Sequence, residues 1–219
     1  MLTRAVPRVP VKRARRLADV PGAILRLLVV STGQRHCAGV DLSSGALRRA
    51  WCGEPVDQRL RPYDVVSVTV TADQDLVPDP TEPEAVPVAA PPSLLGHLAG
   101  KRAQRLLRPL LHPQQEPLLG FHGNSIPFWE RRPDGPSIAL VQPQGPLVVG
   151  LEDAHLWCRF NWQGHEHALA CLDPRLAASF GRTGRRFALL HDGTLLVVAL
   201  TAPMGGLCHK VVESVVPRR

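Results

Sequence analysis

The 219-residue sequence predicts a mainly β protein made of two β-rich units separated by an acidic, proline-rich stretch and a short helix. Three observations carry this prediction. Short apolar runs, several alternating at period two, recur in the first and last thirds of the chain. The 22 prolines and 18 glycines punctuate the chain too often for long helices. Residues 72–92 break the pattern by scattering acids among prolines. With 44% hydrophobic and 21% charged residues, the composition is that of a globular chain long enough to bury a core.

The first unit is read over residues 24–75. Ile24 to Ser31 (ILRLLVVS) is short, apolar and β-branched, the signature of a buried strand, and Gly33 turns the chain after it. His36 to Leu42 and Ala46 to Trp51 then form a hairpin across Ser43, Ser44 and Gly45. Beyond Pro55 and Pro62, residues 64–71 (DVVSVTVT) set Val66, Val68 and Val70 against Val65, Ser67 and Thr69, as a half-buried strand requires.

Residues 76–135 are read as connection. Asp73, Asp75, Asp79, Glu82 and Glu84 lie among Pro78, Pro80, Pro83, Pro87, Pro91 and Pro92, which predicts an extended acidic linker. Ser93 precedes Leu94, Leu95 and Leu98 and is the expected N-cap of a helix that continues through Leu106 and Leu107 and ends near Pro109. Those leucines are expected to pack. Residues 112–136, with His122, Asn124, Phe128 and Trp129, form a second proline- and glycine-rich connection.

The second unit is read over residues 136–216. Ser137 to Gln142 and Pro146 to Gly150 are short apolar segments. Leu156 to Trp162 alternates Cys158, Phe160 and Trp162 with Trp157, Arg159 and Asn161, and Gln163-Gly164 turns into Glu166 to Leu172. Asp192-Gly193, suited to a tight turn, predicts a hairpin between Phe187–Leu190 and Thr194–Leu200, and Cys208 to Val216 supplies a last strand.

Charge is distributed unevenly. Seven basic residues against Asp19 place +6 of the +7 net charge in residues 1–26. Residues 1–23 are read as a disordered basic arm in which Arg4, Arg8, Lys12, Arg13, Arg15 and Arg16 lie along phosphates or an acidic protein surface, or simply keep the chain solvated. The clusters Lys101, Arg102, Arg105, Arg108 and Arg182, Arg185, Arg186 are read as solvated faces.

The residues also exclude several chemistries. No apolar run approaches the roughly 20 residues that cross a bilayer, and Arg26 interrupts the early apolar stretch, so neither a membrane partner nor a secretory signal is expected and a cytoplasmic address fits. Cys37, Cys52, Cys158, Cys171 and Cys208 are odd in number and never spaced C-x-x-C, which predicts reduced, buried thiols. Neither phosphate-loop pattern occurs. His165 and His167 face one way on a strand and would bind zinc if a third ligand such as His155 or Cys171 approached, but without a helix or C-x-x-C frame they are read as polar strand positions facing solvent, so no metal and no cofactor is expected. Cys208-His209 and His36-Cys37 are adjacent pairs and point apart on a strand, which works against a thiolate–imidazole nucleophile. No catalytic residue is assigned; a hydrolase or transferase built on His165, His167 and Asp173 is the weakest of three readings. The aromatics Trp129, Trp157, Phe160 and Trp162 offer a stacking platform, of which Trp157, with Arg159 and Asn161, lies on the free side of its strand while Phe160 and Trp162 fill the core.

Several short stretches occur in an order that resembles the dual-OB domain family, a bacterial and phage-associated pair of OB-like barrels. They are residues 30–39 (VSTGQRHCAG), Leu60 to Val70, Gly100-Lys101 with its leucines, residues 136–141 (PSIALV), residues 159–164 (RFNWQG), Leu172-Asp173-Pro174 and residues 208–212 (CHKVV). The resemblance spans about residues 24–216. It departs where Arg48-Arg49-Ala50 precede Trp51 and where Thr81-Glu82-Pro83-Glu84 only loosely matches an acidic element. It implies OB-like barrels at 24–75 and 136–216 and a non-enzymatic nucleic-acid or nucleotide-binding module of a defence or mobile-element system. Single strands bound through Arg35, Trp51, Trp157 and Arg159, together with the basic arm, are the expected ligand. The alternative is an accessory subunit that binds a protein partner in a larger assembly.

Overall fold

The computed structural model describes residues 20–73, 76, 79, 81–190 and 193–217, so Arg4, Arg8, Lys12, Arg13, Arg15 and Arg16 lie outside the described residues. Six strands build the first sheet: β1 (Ile24–Thr32), β2 (His36–Asp41), β3 (Leu47–Trp51), β4 (Asp64–Thr69), β5 (Ala85–Pro87) and β6 (Ser93–His97). Helix α1 (Gly100–Leu107) follows, then β7 (Ser125–Pro127). The second sheet is completed by β8 (Ile138–Val141), β9 (Gln144–Glu152), β10 (His155–Trp162), β11 (His165–Cys171), β12 (Phe187–Leu190), β13 (Leu195–Leu200) and β14 (Leu207–Val216). Helix α2 (Pro174–Thr183) lies between β11 and β12. The architecture is therefore mainly β, with two sheets and two short helices.

The first sheet runs β5-β3-β2-β1-β4-β6 and the second β12-β9-β10-β11-β14-β13-β8, with β7 added to β14. Each sheet contains an antiparallel three-strand meander, β1-β2-β3 and β9-β10-β11. In each, a later strand returns parallel to the third, β5 beside β3 and β14 beside β11, and another returns antiparallel to the first, β4 beside β1 and β12 beside β9. One isolated bridge, Val70 to Val88, links the chain after β4 to the chain after β5.

Why β1 is apolar without interruption from Leu27 to Val30 follows from its position. Leu27 and Val29 join Val66, Val68, Val86 and Val88 in the first sheet's own core. Leu28 and Val30 face the other way, into a second core shared with Ile138, Leu140, Val197, Ala199 and Val216 of the second sheet. A strand buried on both faces needs no polar alternation. Ala103 and Leu107 of α1 enter the same shared core, while Lys101, Arg102 and Arg105 of that helix are exposed. The second sheet closes over its own cluster of Leu147, Val149, Cys158, Phe160, Trp162, Leu169 and Phe180.

Beside the shared core lies a buried polar network. Glu213 on β14 accepts hydrogen bonds from His36 Nε2 and from Arg49 Nη2, the latter at 3.4 Å, and Arg49 Nη1 lies 3.5 Å from Glu82 Oε1. Burial alone would raise the Glu213 carboxyl, but the Arg49 guanidinium, the His36 ring and the Ser31 hydroxyl outweigh it and hold it at about 2. Arg131 donates to the Thr81 carbonyl at 2.9 Å, and the Ser137 hydroxyl and amide donate to Glu84. Burial dominates at Glu84 and raises its carboxyl, against the lowering pull of Ser137 and Arg49.

Several expectations require correction. The stretch expected to be an acidic linker supplies β5, with Val86 and Val88 fully buried; its Glu82 pairs with Arg49 of β3, and its Glu84 accepts from Ser137 at the entry to β8 of the second sheet. Ser93 caps no helix; it opens β6, because Ser93 to His97 finds antiparallel partners on β4. The helix begins only at Gly100 and, as expected, gives way at Pro109, inside a single short turn. The strands on either side of Asp192-Gly193 do not pair with each other: β12 pairs β9 and β13 lies between β14 and β8. Asp192 itself lies outside the described residues. All five cysteines are buried and unpaired, and no helix among the described residues is long and apolar enough to cross a membrane.

Candidate nucleic-acid interface

Strand β10 sorts its side chains as its sequence dictates. Cys158, Phe160 and Trp162 are buried, and the Trp162 indole N–H donates to the Glu116 carbonyl at 3.2 Å. Trp157, Arg159 and Asn161 occupy the opposite face, with Arg159 and Asn161 exposed and Trp157 half-buried. Arg159 Nη2 donates to Glu152 Oε1 at 2.6 Å, an exposed pair of the kind that contributes little to stability and is readily exchanged for another anion.

The registers extend this face sideways. Trp157 sits opposite Ala170 on β11 and Gly150 on β9, and Gly150 sits opposite Phe187 on β12. In the next row Arg159 lies between Ala168 and Val148, with Leu189 beyond Val148. Directly opposed residues share a face, so Trp157, Arg159, Phe187 and Leu189 project together from one side of the sheet. Phe187 is 74% exposed and Leu189 66%, large apolar side chains that the fold leaves uncovered. Arg185 and Arg186, both exposed, immediately precede Phe187.

The expected contact residues thus fall in two groups. Trp157 and Arg159 come together on the second sheet. Arg35 and Trp51 belong to the first, where Arg35 is exposed in the β1–β2 turn and Trp51 ends β3. Trp51 is half-buried, stacks on His36 with ring centroids 4.7 Å apart, and donates its indole N–H to Glu82 at 3.2 Å. Its polar edge is thus engaged by Glu82, while the residue as a whole stays half-exposed. Phe187 and Leu189 are the members of the face that the sequence did not single out. The signal available was the alternation of exposure along 187–190, legible only once β12 is known to pair with β9.

Comparison of the chain with family models, with curated proteins and with solved structures returns no match.

Of the residues of the third reading, Asp173 and His167 have partners within the fold, and His165 is exposed. Asp173, 1% exposed, accepts hydrogen bonds from the amides of Arg175, Leu176 and Val215 and from the Arg175 guanidinium, and so caps α2 and ties it to β14. His167 stacks on Phe160 at 5.5 Å, and burial followed by the nearby Lys210 and His165 lowers its pKa. Lys210 donates to the carbonyls of Phe121 and Gly123, both at 2.7 Å, and burial brings its amine down to about 8.

Proposed function

We propose that the protein is a non-enzymatic nucleic-acid-binding module made of two OB-like units. The observation that carries the reading is the outward face of β9, β10 and β12, where the exposed Phe187 and Leu189 and the half-buried Trp157 stand beside Arg159, Arg185 and Arg186. Aromatic surfaces bordered by cations bind single strands by stacking bases and pairing phosphates, without any catalytic group.

The strand connections support the OB-like part of this reading. A three-strand meander, a fourth strand returning to the first and a last strand parallel to the third recur in both sheets, with β12 and β13 dividing the fourth strand's pairings in the second. OB folds bind oligonucleotides over the outer face of their second and third strands, which here are β10 and β11. The resemblance to the dual-OB domain family points the same way, and the basic arm supplies charge for phosphates.

Binding of fluorescent single-stranded and duplex DNA and RNA to the full chain, followed by anisotropy over a salt series, tests the proposal. Affinity for single strands that falls steeply with salt is expected; no binding to any oligonucleotide near physiological salt overturns it. A second reading rests on β6, whose five residues are all exposed, with Leu94 61% and Leu95 56% exposed at an open sheet edge. Such an edge accepts a strand from a protein partner. Co-purification of a partner that is lost on substituting Gly96 by Pro, together with no oligonucleotide binding, would favour it.

A further inference from the structure

Glycine at position 150 has no backbone explanation. Among the described residues eleven glycines take a positive φ, but Gly150 is not one of them, and a Cβ built on it would meet there only the Arg186 carbonyl oxygen, at 3.9 Å. In a β-strand interior glycine weakens the strand, and it commonly marks a place where another group approaches the backbone closely. Here the strand loses a side chain at the one point flanked on both sides by an aromatic residue, Phe187 on β12 and Trp157 on β10.

The dimensions suit a flat ring. Strands lie about 4.8 Å apart, so the Phe187 and Trp157 columns are separated by about 10 Å with only backbone between them. A planar ring held between two others needs about 7–8 Å from plane to plane, two van der Waals contacts of roughly 3.5–4 Å each. Among the described residues the indole N–H of Trp157 has no hydrogen-bond partner and the Phe187 ring touches no other ring.

The charges identify the occupant. Arg159 lies in the next row of the same face, and Arg185 and Arg186 lead directly into Phe187, so phosphates on either side of a bound base meet cations; Glu152, paired with Arg159, is the carboxylate they would displace. Resting on the nucleic-acid reading above, we propose that Gly150 is the floor of a slot in which Phe187 and Trp157 sandwich one unpaired nucleobase. A duplex, whose bases are already stacked and paired, cannot enter, and single-strand preference follows from the shape alone.

The test uses the full chain and three probes: a short fluorescent oligothymidine, the same phosphate backbone without bases, and a duplex of equal length. Gly150→Val fills the slot with a side chain that the strand accommodates, while Trp157→Ala and Phe187→Ala remove its walls. Each variant is expected to weaken oligothymidine binding by roughly tenfold or more, the scale of losing one stacked base. Their binding to the abasic backbone should stay that of the unaltered protein, and the urea midpoint of Gly150→Val should not fall. Oligothymidine affinities within about twofold of the unaltered protein for all three variants overturn the slot and leave nucleic-acid binding standing. Equal losses on the abasic backbone also overturn it, because the effect is then not stacking. If the unaltered protein binds none of the probes, slot and function fall together.

Discussion

Replacing Glu213 by Gln removes one buried negative charge while keeping the shape of the side chain, and it strikes the place where the two sheets meet. Glu213 is 6% exposed and takes hydrogen bonds from His36 on β2 and Arg49 on β3. Arg49, 3% exposed, would be left with Glu82 at 3.5 Å as its remaining ion-pair partner. Lowering a carboxyl from 4.5 to about 2 corresponds to about 3 kcal/mol of stability at about 1.4 kcal/mol per pH unit. That agrees with the roughly 3–5 kcal/mol lost when one partner of a buried pair is removed. The sign fixes the pH window. A carboxyl depressed in the folded state stabilises fully above its unfolded value of 4.5, and that contribution drains away as pH falls towards about 2. Urea unfolding of the protein and of Glu213→Gln should therefore differ by about 3 kcal/mol at neutral pH. The gap should close as both are acidified through that window, since a protonated glutamate resembles glutamine. A difference below about 1 kcal/mol at neutral pH, or one that does not shrink on acidification, would refute the reasoning.

Three further outcomes are expected. Val86→Ala should cost about 2 kcal/mol in urea unfolding, because Val86 is fully buried, whereas Leu95→Ala on the exposed β6 edge should cost less than about 0.5 kcal/mol; equal costs would deny β5 its place in the core. Asp173→Ala should lose about 2 kcal/mol or more, through the α2 cap and the Val215 amide it leaves unpaired, without changing oligonucleotide affinity under folding conditions; a selective loss of affinity would give Asp173 a role in binding. Replacing Arg4, Arg8, Lys12, Arg13, Arg15 and Arg16 by Ser should flatten the salt dependence of single-strand binding by about 4 in logarithmic slope if each neutralises one phosphate, and an unchanged slope would release the arm from phosphate contact.

Where local pattern and final environment agree, the sequence was easy to read. The alternation of Val66 and Val68 with Ser67 and Thr69 marks β4, and that of Phe160 and Trp162 with Arg159 and Asn161 marks β10, because one face of each is buried and the other is not. The continuous run of β1 was legible as a buried strand, although nothing local tells which core each residue joins. β5 was hidden because Val86 stands among prolines and acids, and only parallel pairing of Ala85–Pro87 with β3 makes a strand there. Tertiary contact likewise overrode the helical signal at Ser93, where Gly96 and Gly100 already argued against a single helix. Helix α2 did carry its signals, Asp173 as N-cap, Pro174 in the first turn and Gly184 in a left-handed C-cap, yet its short polar sequence did not stand out. The binding face was half legible for the same reason. Trp157 and Arg159 are local to one strand, while Phe187 and Gly150 join them only through non-local registers.

Photocross-linking of the full chain to an oligonucleotide carrying a photoreactive thiopyrimidine, followed by peptide mapping, tests the nucleic-acid reading most directly. The account predicts adducts on the peptides that contain Trp157 and Phe187, abolished by excess unlabelled single strand and reduced by Gly150→Val. Adducts confined to the first sheet, or none in excess of a non-binding control protein, would contradict it.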